Sequence, residues 1–277
     1  MKRLAIIAVS FLLLAGTTEY HPHSGSSTGG LALGLDAIHK FGANYDVDTT
    51  TDPADTWDCH QLGAAGLKPY ASDSTIYVSS DDENDAGLDV TVQGLDENGL
   101  EASQTMTLGA ALASGTTTVE VTGTWDRVFR AFNDDATAFA GNVWIHLDND
   151  AQADGVPDAP LTDTLACVRK EAQQTLMAHY TVPANKVGWL VKHCSGVNPT
   201  GTAAERARVA LRTRKTGKSW RAQDDIRLVS NGNGIFCHEY PFPRRLDPLT
   251  DIRVEVFSVA TNDTGLFATF DIFLQPN

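Results

Sequence analysis

Basic side chains are scarce in the first half of this sequence: Leu31 to Leu165 holds 4 Lys or Arg against 24 Asp or Glu. A surface of that sign does not take nucleic acid or an anionic membrane as its partner, because bound phosphates are neutralised by clustered cations. Apolar runs are short as well. The stretch Leu4 to Ala15 covers 12 residues, against the roughly 20 that a spanning helix needs. The 4 cysteines, Cys59, Cys167, Cys194 and Cys237, lack CxxC spacing, which argues against a zinc site. They read as buried free thiols, with pairing left open for an exported chain. Nucleophile elbow, zinc-protease helix, phosphate loop and dinucleotide fingerprint are all missing. Asp and Glu are abundant, but abundance alone does not make a catalytic carboxylate pair. The chain therefore reads as non-enzymatic.

Short strands punctuated by turn residues are what the sequence does contain. With 277 residues, 42% hydrophobic and 20% charged, there is enough apolar material for two packed domains. Six segments of the first half alternate apolar and polar residues in strand fashion: 75–79, 88–92, 103–108, 116–122, 125–132 and 142–147. Eight more follow at 164–170, 174–182, 187–194, 206–213, 226–229, 235–240, 252–259 and 267–274, the number of strands in a jelly roll. Asn231-Gly232-Asn233-Gly234 reads as a hairpin turn, since Asn and Gly accept positive φ. Pro241-Phe242-Pro243 reads as the end of its strand. Val254, Val256, Phe267, Phe270 and Phe273 mark a sandwich interior. The fold expected is all-β: two β-sandwich domains, the C-terminal one jelly-roll-like, with an apolar N-terminal arm. The boundaries expected are 1–40 for arm and linker, 41–147 for an acidic sandwich, 148–163 for an acidic junction and 164–277 for the jelly roll.

The second half reverses the charge, with 15 basic and 10 acidic side chains from Ala166 to Asn277. Arg206, Arg208, Arg212 and Arg214 interleave with Ala207, Val209, Leu211 and Thr213, which suits a solvated strand face. Such a face fits an acidic protein surface better than a phosphate backbone.

Three polar or apolar segments have two readings each. Met1-Lys2-Arg3 followed by Leu4 to Ala15 has the form of a secretory signal; if retained, Leu4, Ile6, Ile7, Phe11, Leu12 and Leu13 form a partner-binding arm. Thr17 stands where a lipid-bearing Cys would be needed. The run from Asp148 to Asp158 places oxygens at Asp148, Asp150, Gln152, Asp154 and Asp158 and resembles the calcium loops of thrombospondin type 3 repeats, with Gln152 in place of an Asp. It reads as a Ca²⁺ site or as a plain acidic linker. Asp81 to Asp85 reads as a solvated turn or as a cation chelate. Trp57, Trp125, Trp144 and Tyr70 read as core aromatics or as a sugar-stacking platform.

The segment Gln174 to Leu190, QTLMAHYTVPANKVGWL, comes between the two unlike halves. Together with Gly94-Leu95-Asp96-Glu97-Asn98-Gly99 and the stretch from Phe242-Pro243 to Asp251-Ile252, it resembles a β-rich structural protein of tailed bacteriophages. The likeness runs from about Phe41 to Leu274. It implies a capsid decoration, cement or head-fibre component located in the virion. The partners implied are the major capsid protein or other virion proteins and further copies of the chain, with no nucleic acid and no membrane in the assembled state. It carries no catalytic residues. Two other readings stay open: an exported carbohydrate-binding module, and a phage tail, neck or receptor-binding component.

Overall fold

The computed structural model describes residues 35–49, 54–57, 70–149, 154–158, 160–198, 205–230 and 234–277. Its strands are β1 (Asp36–Val47), β2 (Ala54–Asp55), β3 (Tyr70–Ser80), β4 (Asp89–Asp96), β5 (Glu101–Thr107), β6 (Val119–Asn133), β7 (Val143–His146) and β8 (Thr164–Val168). They continue with β9 (His179–Thr181), β10 (Lys186–Asn198), β11 (Glu205–Lys215), β12 (Arg221–Ser230), β13 (Gly234–Leu246), β14 (Thr250–Val259) and β15 (Thr264–Pro276). The fold is all-β, and its sheets are antiparallel.

Strict alternation in β15 puts Leu266, Ala268, Phe270, Ile272 and Leu274 on one face, and all five are buried. Burying a side chain such as Phe270 contributes roughly 1.5–3 kcal/mol, so this face fixes the register. β15 is flanked by β1 and β10, and β10 pairs in turn with β13. The second sheet runs β12-β11-β14-β2, with β9 also on β14. Leu190, Phe270 and Ile272 of the first sheet share one core with Leu211, Ile226, Val254 and Val256 of the second. If these eight strands are numbered in chain order and β9 is left aside, the sheets read 1-8-3-6 and 5-4-7-2. That is the order of a jelly roll.

The jelly roll is not continuous in sequence. Between its second and third strands the chain makes another sheet, β5-β4-β6-β3-β7-β8. This sheet curls, so that β6 and β8 touch although they are not neighbours in it. Its core contains Trp57, Trp125 and Trp144, each at most 2% exposed, so these three tryptophans are packing residues. The sheets thus depart from the boundaries expected from sequence. Asp36–Val47 and Ala54–Asp55 belong to the jelly roll as β1 and β2, and Thr164–Val168 belongs to the inserted sheet.

Several local expectations change for identifiable reasons. The segments 116–122 and 125–132 join into the single strand β6, which carries Gly123 at φ 99° and register shifts against β3 and β4. The segment 174–182 is strand only at His179–Thr181, with single bridges at Gln174 and Met177. β13 continues through Pro241 and Pro243, which fall where its register with β10 breaks on an edge strand, so neither proline has to donate a ladder bond. β12 and β13 lie in different sheets and so do not pair as the expected hairpin; Asn231, Gly232 and Asn233 lie outside the described residues. Phe267 and Phe273 face away from the interior that holds Phe270. Phe267 instead lies over Gly196, where an added Cβ would meet the ring at 2.1 Å.

The free-thiol expectation is overturned. Cys194 and Cys237 are directly opposed on β10 and β13 and form a disulfide; Cys167 is also disulfide-bonded. Opposed strand positions bring two sulfurs within bonding reach, and that register is a tertiary fact with no local signature.

Candidate functional site

Polar side chains are concentrated in two buried clusters, and apolar ones are exposed along one edge. The first cluster joins the inserted sheet to the jelly roll. Tyr70 on β3 and Arg127 on β6 reach toward β14, where the carboxylate of Asp251 is fully buried. Asp251 accepts hydrogen bonds from Arg127 Nε at 3.3 Å, from Thr181 Oγ1 at 2.8 Å, and from Arg214 at 3.1 and 2.8 Å. Burial pushes the Asp251 pKa up, but these surrounding groups more than offset it and hold the carboxyl below the usual range.

Aromatic rings separate the cations of this joint. The Tyr70 ring lies 4.4 Å from the Arg127 guanidinium and 4.8 Å from that of Arg214. Trp220 lies 4.6 Å from Arg214 and 4.1 Å from Arg253. Like charges are thus spaced by π-faces and neutralised by Asp251 and by the buried Glu255. Glu255 pairs with Arg212 at 2.5 Å and also with Arg253. His179 is fully buried here, and burial lowers its pKa to about 3, so the ring is neutral. Burial, helped by Asp251, raises the Tyr70 hydroxyl well above its ordinary pKa.

A second part of the same joint involves Lys40 of β1. Its ammonium donates to the Phe129 carbonyl of β6 at 2.5 Å. Burial, aided by the Arg130 charge, lowers its pKa to about 7. The Phe129 and Tyr180 rings pack at a tilt of 52° with centroids 4.7 Å apart, and Lys186 bridges Glu101 at 2.6 Å and Asp36 at 2.9 Å. These contacts tie the two bodies together through desolvated groups.

The second cluster closes the open side of the jelly roll. Asp224 of β12 meets His238 of β13 at 2.8 Å and His193 of β10 at 3.5 Å. Burial pushes the Asp224 pKa up, but the two imidazoles outweigh it and leave the carboxyl below its ordinary range. The other ring nitrogen of His193 lies 2.8 Å from Ser195 Oγ. Ser, His and Asp thus stand in nucleophile–base–orienter order. Ser195 and His193 are nevertheless fully buried, and the array connects β12 of one sheet to β10 and β13 of the other. Its action as it stands is to hold the two layers together. The sequence analysis missed it, and the two-residue spacing of His193 and Ser195 on one strand face was the only local signal.

The predicted site residues divide. Arg206 and Arg208 are exposed, and Arg208 pairs with Asp225 at 2.6 Å. Arg212 and Arg214 are occupied by Glu255 and Asp251, so the expected basic face is solvent-directed in its first half only. Of the calcium candidates, Asp148, Asp154 and Asp158 are described. Asp148 accepts from the Asp158 amide at 3.0 Å, and Asp154 from the Val156 amide at 3.1 Å. Their carboxylates do not converge: among the described residues, the acids close enough to share an ion are Asp46, Asp48 and Asp263. The junction is pinned otherwise, by Ser79 Oγ donating to the Gly155 carbonyl at 2.6 Å. Asp150, Gln152 and the arm residues Leu4, Ile6, Ile7, Phe11, Leu12 and Leu13 lie outside the described residues. The expected solvated turn at Asp81 to Asp85 is a backbone clamp, since buried Asp85 accepts from the Ala140 and Gly141 amides.

The exposed feature is β13, an edge of its sheet. Leu190 of β10 opposes Arg244 while Lys192 opposes Glu239, so residues 240–243 bulge out against a single residue of the partner strand. Phe242 sits on that bulge between two prolines and is 86% exposed. Ile235, Phe236 and, on neighbouring β12, Val229 are 62%, 49% and 61% exposed. Comparison with protein-family models finds no match for this chain. Comparison with curated proteins finds none either.

Proposed function

We propose that the chain is a non-enzymatic structural component of a virion, decorating or cementing a phage shell through contacts with the major capsid protein or other virion proteins. The observation that carries the reading is the β13 edge. Prolines fix φ, so the Pro-flanked Phe242 is held out at little conformational cost, as an interface anchor should be. The open backbone of Gly234–Glu239 beside it suits strand addition by a partner. The sealed Ser195–His193–Asp224 array and the desolvated joint around Asp251 fit a rigid scaffold better than a reaction site. The jelly-roll frame agrees with the reading by fold analogy alone, and the tryptophans that a sugar platform would use are buried.

The test is quantitative mass spectrometry of gradient-purified particles of the source phage, with wild-type chain and with Phe242→Ala. Wild-type protein at many copies per particle, and loss of incorporation in the variant, is the expected result. Absence of the wild-type chain from particles would overturn the assignment.

A further inference from the structure

We infer that the protein associates with itself head to tail, the acidic inserted sheet of one copy seating on the basic β12–β13 side of the next. The inference rests on the reading of the chain as an assembly component and names the partner of its exposed edge. Charge is the first argument. Residues 70–168 carry 18 acidic and 2 basic side chains, whereas residues 216–246, which hold β12 and β13, carry 3 acidic and 5 basic. Lys218, Arg221 and Arg227 are exposed and make no ion pair among the described residues. Arg244 and Arg245 are exposed on β13 itself.

The chain's own acidic sheet does not use this side. It meets the jelly roll at Lys40, Tyr180, Lys186 and Asp251, while β12 and β13 contact β10, β11 and each other. A second copy can reach what the first leaves open. Two copies meeting β13 to β13 would oppose surfaces of the same sign, so unlike surfaces are favoured and the contact is heterologous. Such contacts close into rings or propagate as fibres.

Size agrees. Strands of 10 and 13 residues extend about 35–45 Å at roughly 3.3 Å per residue, and two sheets about 10 Å apart with their flanking side chains make a strip about 20 Å wide. The product, on the order of 800 Å² per partner, is that of a standard specific interface. Phe242, Ile235, Phe236 and Val229 supply apolar anchors, and the arginines supply a rim that steers the acidic body into place.

Sedimentation velocity of the full chain tests this, run at about 0.05 M and about 0.5 M salt, with Phe242→Ala and with the pair Arg221→Glu and Arg227→Glu. Screening shortens charge interactions to a few ångströms at the higher salt, so Kd should rise at least about tenfold. Both variants alter exposed side chains and should stay folded by circular dichroism while losing association to a similar degree. Carbodiimide coupling of light and heavy-isotope copies should join Lys218 of one copy to acids within 70–168 of another. A monomer at all concentrations to about 100 μM, association indifferent to both variants, or coupling only within a copy would overturn the inference. Particle content is read separately. A monomer found in particles leaves the virion reading and removes this contact; a self-associating chain absent from particles does the reverse.

Discussion

Replacing Lys40 by Met should abolish a pH dependence of stability that the wild-type chain must show. Lys40 is buried with its pKa lowered from 10.5 to about 7, so between those values the unfolded chain holds a proton that the folded chain has given up. Stability then rises with pH, by at most about 1.4 kcal/mol per pH unit. Near pH 7 the folded amine is half protonated, so the gain from pH 7 to pH 9 comes to about 2 kcal/mol. It is complete above the unfolded value and is lost as the pH falls toward 7. With no free cysteine among the described residues, thiol exchange does not confuse this window. Urea unfolding at pH 7, 8 and 9, without reductant, measures it. The variant loses the slope and also the hydrogen bond to the Phe129 carbonyl, which costs about 1–3 kcal/mol when left unmade. Its curve should therefore be flat from pH 7 to pH 9. A wild-type stability that is level or falling across this range, or a variant with the same slope, would refute the reasoning.

Two further perturbations address the buried clusters. Asp251→Asn leaves Arg127 and Arg214 facing an uncharged partner in a buried site, and should cost about 3–5 kcal/mol by urea unfolding; a loss under about 1 kcal/mol would mean that the joint is not held by charge. Because the Asp251 pKa is depressed, its contribution should be present at neutral pH and fade as the pH drops below the ordinary carboxylate range of about 4. Changing Cys194 and Cys237 together to Ala opens a loop of 43 residues, and the loop-entropy relation puts the loss near 4 kcal/mol. Unchanged stability would show that the β10–β13 pairing alone holds this edge.

Strand existence was legible where alternation is clean. β4, β11, β14 and β15 all carry a buried stripe that period-2 counting finds. What local pattern does not encode is the sheet to which a strand belongs. β1 reads DAIHKFGANYDV, with Lys40, Gly42 and Asn44 buried among its apolar residues, so its jelly-roll membership comes from pairing with β15 far along the chain. The Pro241-Phe242-Pro243 stop failed because both prolines fall in a bulge of an edge strand, where the ladder asks no bond of them. The arginines were found as a set, but their division into Arg206 and Arg208 outside and Arg212 and Arg214 within depends on Asp251 and Glu255, two acids on an adjacent strand. The His193–Asp224–His238 cluster draws on three strands and had no single stretch in which to be seen.

The pairing of β1 with β15 also sets a clock on synthesis. Asp36 waits for Leu274, and at about 5–20 residues per second a ribosome takes roughly 10–50 s to make the intervening chain. During that time the first strand of the jelly roll lacks the strand it pairs with, while the inserted sheet, whose strands are close in sequence, is free to fold. Final closure is therefore late and slow, as expected for long-range β pairing. A truncation from Leu266 onward deprives both β1 and β10 of their shared neighbour, so it should be as damaging to the jelly roll as one that cuts the chain at β10.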